Sequence, residues 1–87
     1  MKTIDNLRAE VDSIDEELNK LFIKRLEVVS HIREEKKLNS MDILDKNRED
    51  KIFTKLKSET PEEYFKYSQD LFQSILRISM EFQGELR

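Results

Sequence analysis

IDNLRAEVDSIDEELNKLFIKRLEVVSHIREEKKL, residues 4–38, is the stretch whose reading decides the fold. Its apolar residues recur at spacings of three and four: Ile4, Leu7, Val11, Ile14, Leu18 and Leu21, then Val28 and Ile32, with Phe22 and Val29 alongside. That is the repeat of one face of an α-helix. The spacing predicts one continuous helix over about residues 4–38, roughly 50 Å long at 1.5 Å per residue. A compact monomer of this chain length is only roughly 30 Å across.

Working outward, the segment Asn39-Ser40-Met41-Asp42-Ile43-Leu44 loses the pattern and reads as a connection. Asp45 then caps a second helix carrying Ile52, Phe53 and Leu56 and ending near Ser58. Thr60-Pro61-Glu62-Glu63 supplies a capping box with proline at the first helical position, opening a third helix to about Leu86. Its apolar face includes Phe65, Leu71, Phe72, Ile75, Leu76 and Phe82. The expected class is all-α, with one long, one short and one medium helix in a single domain over residues 1–87. The second and third helices are too short to cover the first. An uncovered apolar stripe calls for a partner, and the simplest symmetric one is a second copy packed antiparallel, an intertwined homodimer.

Composition agrees with this and narrows the function. A chain of 87 residues is near the size at which one core becomes marginal without a metal, disulfides or a partner chain. There is no cysteine, which excludes a disulfide framework and a thiolate nucleophile. One glycine, one proline and 40% charged residues suit solvated helices and leave little for hairpin turns. A net charge of -3 and a pI near 5.2 argue against a general nucleic-acid binder. No apolar run is long enough to span a membrane, and Met1-Lys2-Thr3-Ile4-Asp5 lacks the apolar core of a signal peptide, so a cytoplasmic address is expected.

The chemistry resides where the helical pattern asks for an apolar residue and the sequence supplies a polar one. Arg25 falls between Leu21 and Val28 in the series, and a buried charge is costly unless it is paired. Lys36 lies eleven residues further on, about 20° around the helix and roughly 16 Å along it, so two long cationic side chains reach toward one gap. In the second helix Asp45, Arg48 and Glu49 stand at i, i+3 and i+4, and Glu49 continues the inward line of Ile52, Phe53 and Leu56. In the third, Ser79 and Gln83 extend the line of Phe72 and Leu76.

Each has a plainer explanation. Arg25 could pair internally with Glu49 or Asp45, Lys36 could snorkel over the surface, and Asp45 could serve only as a cap. Ser79 could be a small residue at a helix crossing, and Gln83 could be frayed near the chain end. His31 reads as an ordinary helix residue, because no second histidine or carboxylate cluster accompanies it to bind a metal. Together, however, the exceptions occur on all three helices and contain no nucleophile and base pair. They describe a cation-rich polar cavity inside a helical bundle, suited to a small polyanion and needing no metal or cofactor.

This pattern resembles the all-helical chorismate mutases over essentially the whole chain. The matching motifs are Leu7-Arg8-Ala9-Glu10-Val11-Asp12-Ser13-Ile14-Asp15, Arg25 seventeen residues after Arg8, Lys36, Asp45-Lys46-Asn47-Arg48-Glu49, and Ser79 with Gln83. The resemblance implies rearrangement of chorismate to prephenate, with Arg8 and Arg25 holding the two substrate carboxylates and Ser79 assisting. It implies that Lys36 and Gln83 donate to the ether oxygen of the breaking bond, that Asp45 and Glu49 meet the ring hydroxyl, and that Arg48 lines the pocket. Arg33 stands where relatives often have a small residue before the lysine, and the connection from Leu38 to Leu44 is not distinctive. Seventeen helical residues put Arg8 about 25 Å from Arg25 and roughly 100° around, too far to grip one small molecule within a chain. Arg8 is therefore expected to enter the site of the other subunit. The alternatives are an isochorismate pyruvate lyase on the same scaffold and a non-catalytic helical dimerisation module.

Overall fold

The computed structural model describes residues 3–39 and 46–85, which form three helices: α1 (Ile4–Leu38), α2 (Lys46–Glu59) and α3 (Glu62–Glu85). The long helix has the bounds its spacing predicts. Thr3 stops it at the front, where its Oγ1 accepts the Asn6 N–H at 3.2 Å and its carbonyl accepts the Leu7 N–H at 3.0 Å. These satisfy donors that a helix start otherwise leaves open. At the far end the backbone N–H and the side-chain amide of Asn39 both donate to the Glu35 carbonyl, at 3.1 and 2.8 Å. Asp5 in the first turn and Lys36 and Lys37 in the last complement the helix dipole.

The start of α3 differs by one residue from the capping-box reading. The Pro61 carbonyl accepts from the N–H groups of Tyr64 at 2.9 Å and Phe65 at 3.1 Å, so Pro61 is the cap and Glu62 the first helical residue. Proline tolerates either position, since it has no N–H to satisfy and its φ is already near helical. Asp45 and the connection before it lie outside the described residues.

The tertiary arrangement is set by α3. It packs against both α1 and α2, whereas among the described residues the backbones of α1 and α2 do not approach each other closely. Two helices standing on a third with their backbones apart leave a gap between them. The face that α1 turns inward is its C-terminal half: Phe22, Arg25, Leu26, Val29, Ser30, Arg33 and Lys36 are partly or fully shielded. Its apolar series behaves differently from a core. Ile4, Leu7, Val11, Ile14, Leu18, Leu21, Val28 and Ile32 are all exposed, Ile14 to 64%.

Among the described residues no hydrophobic side chain is fully buried, and the buried ones are Arg33, Ser79 and Gln83. The chain extends 57 Å with a radius of gyration of 16.4 Å, against about 12 Å for a compact domain of this length. Its accessible surface is 7487 Å², against about 5,400 Å² for a folded monomer of its mass. The excess, roughly 2,000 Å², is on the scale that obligate interfaces cover. No helix among the described residues is long and apolar enough to cross a membrane.

Candidate active site

The gap between α1 and α2 is a half-open cavity of about 150 Å³ floored by α3. Helix α1 contributes Arg25, Val29, Ile32 and Lys36, a run of four-three-four spacings that puts all of them on one face. Helix α2 contributes Arg48, Glu49 and Ile52, and α3 contributes Leu76, Ser79, Met80 and Gln83. Arg25, Lys36, Arg48, Glu49, Ser79 and Gln83, singled out from the sequence on three separate helices, thus line one hollow. Arg8 is exposed on the N-terminal half of α1 and does not line it. Asp45, the remaining sequence candidate, lies outside the described residues.

Ser79 holds the centre of the floor. Its hydroxyl donates to the Ile75 carbonyl one turn back at 2.7 Å, which commits its only proton and turns its lone pairs outward. Arg25 takes up that acceptor, its Nη1 donating to Ser79 Oγ at 2.8 Å across the α1–α3 contact. Among the described residues Arg25 makes no ion pair with a carboxylate, and an internal pair with Glu49 is not formed. Its pKa is lowered, first by burial, which penalises the charged form, and second by the positive charge of Arg48. A guanidinium still carries its charge at neutral pH. The site therefore holds a partly desolvated cation facing another cation, an arrangement that an incoming anion relieves.

Gln83 is 7% exposed and ordered by its own helix. Its Nε2 donates to the Ser79 carbonyl at 3.2 Å and lies 3.9 Å from the Met80 sulfur. It is neither frayed nor solvated. A thioether is a weak acceptor, so the proton aimed at Met80 is the one that can be redirected to a ligand at small cost. Lys36 is half-buried at the wall rather than spread over the outer surface. His31 is exposed and takes no part in the lining.

The sequence pattern points to the polar groups and passes over Met80, which lines the cavity and contacts Gln83. Its place four residues after Leu76 and eight after Phe72, on the buried face of α3, is the signal that marks it. The burial of Arg33, at 5% exposed, is likewise absent from the expectations above. The spacing Phe22, Leu26, Val29, Arg33, Lys36, which marks the shielded face, carries that information.

Chemically, the hollow combines three cations and an amide donor with one carboxylate and apolar walls. Such a lining is complementary in charge to a compact anion.

Comparison with known proteins agrees with the residue pattern. The sequence matches the family described as chorismate mutase type II over residues 7–84. It is 36% identical over 77 residues to the T-protein of Haemophilus influenzae (strain ATCC 51907 / DSM 11121 / KW20 / Rd), an alignment covering 88% of this chain and 20% of that protein. The chain thus spans about one fifth of the length of this curated relative. No solved structure matches. With 78 consecutive positions, residues 7–84, fitting one family and Arg25, Lys36, Arg48 and Glu49 gathered in one hollow, the chain belongs to the chorismate mutase type II family.

Proposed function

We propose that the chain converts chorismate to prephenate, in the service of phenylalanine and tyrosine biosynthesis, and does so as a homodimer with two shared sites. The observation that carries this reading is the convergence of Arg25, Lys36, Arg48, Ser79 and Gln83 on one cavity that has a carboxylate, Glu49, on its wall. The rearrangement is pericyclic: one C–O bond breaks as one C–C bond forms, with no proton transfer and no covalent intermediate. It asks a protein to hold a flexible dianion in its compact reactive shape and to stabilise charge growing on the ether oxygen.

Arg25, fixed by Ser79, receives one carboxylate. Lys36 and Gln83 donate to the ether oxygen from neighbouring helices, with Lys36 also near a carboxylate, and Arg48 lines the pocket. Glu49, with Asp45, meets the ring hydroxyl. A million-fold acceleration corresponds to about 8 kcal/mol, within reach of a carboxylate clamp and two preorganised donors in a shielded hollow.

The second carboxylate needs Arg8, which within one chain is out of reach on the same straight helix. Antiparallel pairing of the exposed series Ile4, Leu7, Val11, Ile14, Leu18 and Leu21 about a two-fold axis near Asn19 or Lys20 would cover the stripe and bring each Arg8 opposite the other chain's cavity. The surface excess supports this reading. The enzyme is expected to be cytoplasmic, with chorismate as its small-molecule substrate.

Incubating the purified protein with chorismate and, separately, isochorismate tests the assignment. Prephenate from the first supports it; pyruvate from the second alone would make the protein a lyase. Neither reaction, with no binding of a chorismate analogue, would leave a dimerisation module.

A pH profile tests Gln83. An amide donates at any pH, whereas a carboxyl donates only when protonated. Gln83→Glu should therefore keep activity at acid pH and lose it about tenfold per unit above the pKa of the new carboxyl. A profile parallel to that of the parent would remove Gln83 from contact with the ether oxygen.

A further inference from the structure

Arg33, 5% exposed, is the one charged side chain among the described residues that is buried. Its Nε has no hydrogen-bond partner among the described residues. Its ion pair is poor: Nη1 stands 3.5 Å from Oε1 of Glu34, a side chain 65% exposed to solvent. A guanidinium held out of water with so little compensation costs stability, and exchange for an apolar side chain of similar size is commonly neutral or stabilising. Arg33 thus carries a charge that burial alone does not call for. It lies on the shielded face of α1, four residues after Val29 and three before Lys36, both of which line the cavity. On a helix those neighbours have Cβ atoms about 5–6 Å away.

We propose that Arg33, although it does not line the cavity, is an affinity determinant for the dianion, acting as a fixed positive charge behind the α1 wall. Shielded from bulk water at 5% exposure, its charge is screened less than a solvated one. Arg25, Lys36 and Arg48 face the ligand; Arg33 adds to their field without contacting it. A field that acts on both carboxylates is the same for the bound substrate and its transition state. It lowers KM and leaves kcat unchanged.

The inference rests on the chorismate reading above. The test compares parent, R33M, R33Q and R33K in chorismate turnover and in thermal unfolding. R33M removes the charge and keeps an unbranched apolar stem; R33Q does so with less apolar bulk, should R33M misfold. The expected result is a KM raised about tenfold in both, equivalent to about 1.4 kcal/mol of binding, with kcat within about twofold of the parent and Tm equal or higher. R33K should stay near the parental KM. Affinity and stability moving in opposite directions is a signature that a packing role does not give. Unchanged KM in R33M and R33Q, a KM in R33K as high as in R33M, or a loss confined to kcat would each overturn the inference while leaving the parental activity intact. A parent that does not turn over chorismate would instead remove the proposed function, and this inference with it.

Discussion

Lys36→Ala is expected to lower kcat by about 10²–10³-fold, the cost of removing one donor aimed at charge that develops in a transition state. Lys36 lies on the same face of α1 as Arg25 and at the wall of the same cavity. The residue is half-buried, so its attraction for a growing negative charge is less screened than in open water. The ether oxygen of chorismate bears little charge at rest and more as its C–O bond breaks. The interaction therefore strengthens along the reaction, and its loss falls on kcat more than on KM. Single-turnover measurement at saturating chorismate is the check. Turnover within about tenfold of the parent would mean that Lys36 serves only to attract the substrate.

The second large effect concerns Arg8 and Arg25 together. Arg8→Ala and Arg25→Ala, each alone, should lose about 10²–10³-fold in kcat/KM, the scale of removing one partner from a shielded, hydrogen-bonded charge pair. In a shared-site dimer these two lesions fall on opposite chains of each site. A heterodimer of the two variants carries one site with both arginines and one with neither. An equimolar mixture after subunit exchange contains about half heterodimers by statistics, so about a quarter of the parental activity should return. Absence of recovery, with exchange verified by mass, would place both arginines in the site of a single chain or remove Arg8 from it.

Much of the fold was legible because helix formation here follows local spacing. The three-four series of residues 4–38 had nothing to compete with it, and the observed α1 has the expected bounds. The shift of the α3 start from Pro61 to Glu62 shows the limit of such reading at helix ends, where one carbonyl or its neighbour can accept the first bond at similar cost. The candidate site was legible for a different reason. A charged residue inside an apolar series, such as Arg25, has a desolvation cost that must be met somewhere, so the exceptions in the pattern mark a cavity through spacing alone. Apolar lining residues leave no such mark. Met80 looks like any core side chain until its sulfur is found 3.9 Å from the Gln83 amide.

From its sequence alone the chain has its helices, their order, and the set of polar residues that interrupt them, because each depends on spacing along one chain and on the cost of burying charge. Only the tertiary structure decided that α1 and α2 both stand on α3 with their backbones apart, that the gap between them is the cavity, and that Arg25 is met by the Ser79 hydroxyl. It also decided which face of α1 is shielded, leaving Leu7, Val11 and Ile14 open while Arg33 is buried. Periodicity says that a helix has an apolar side and is silent on which neighbour covers which part of it. That choice is made by contacts between residues far apart in the chain, and no local pattern contains them.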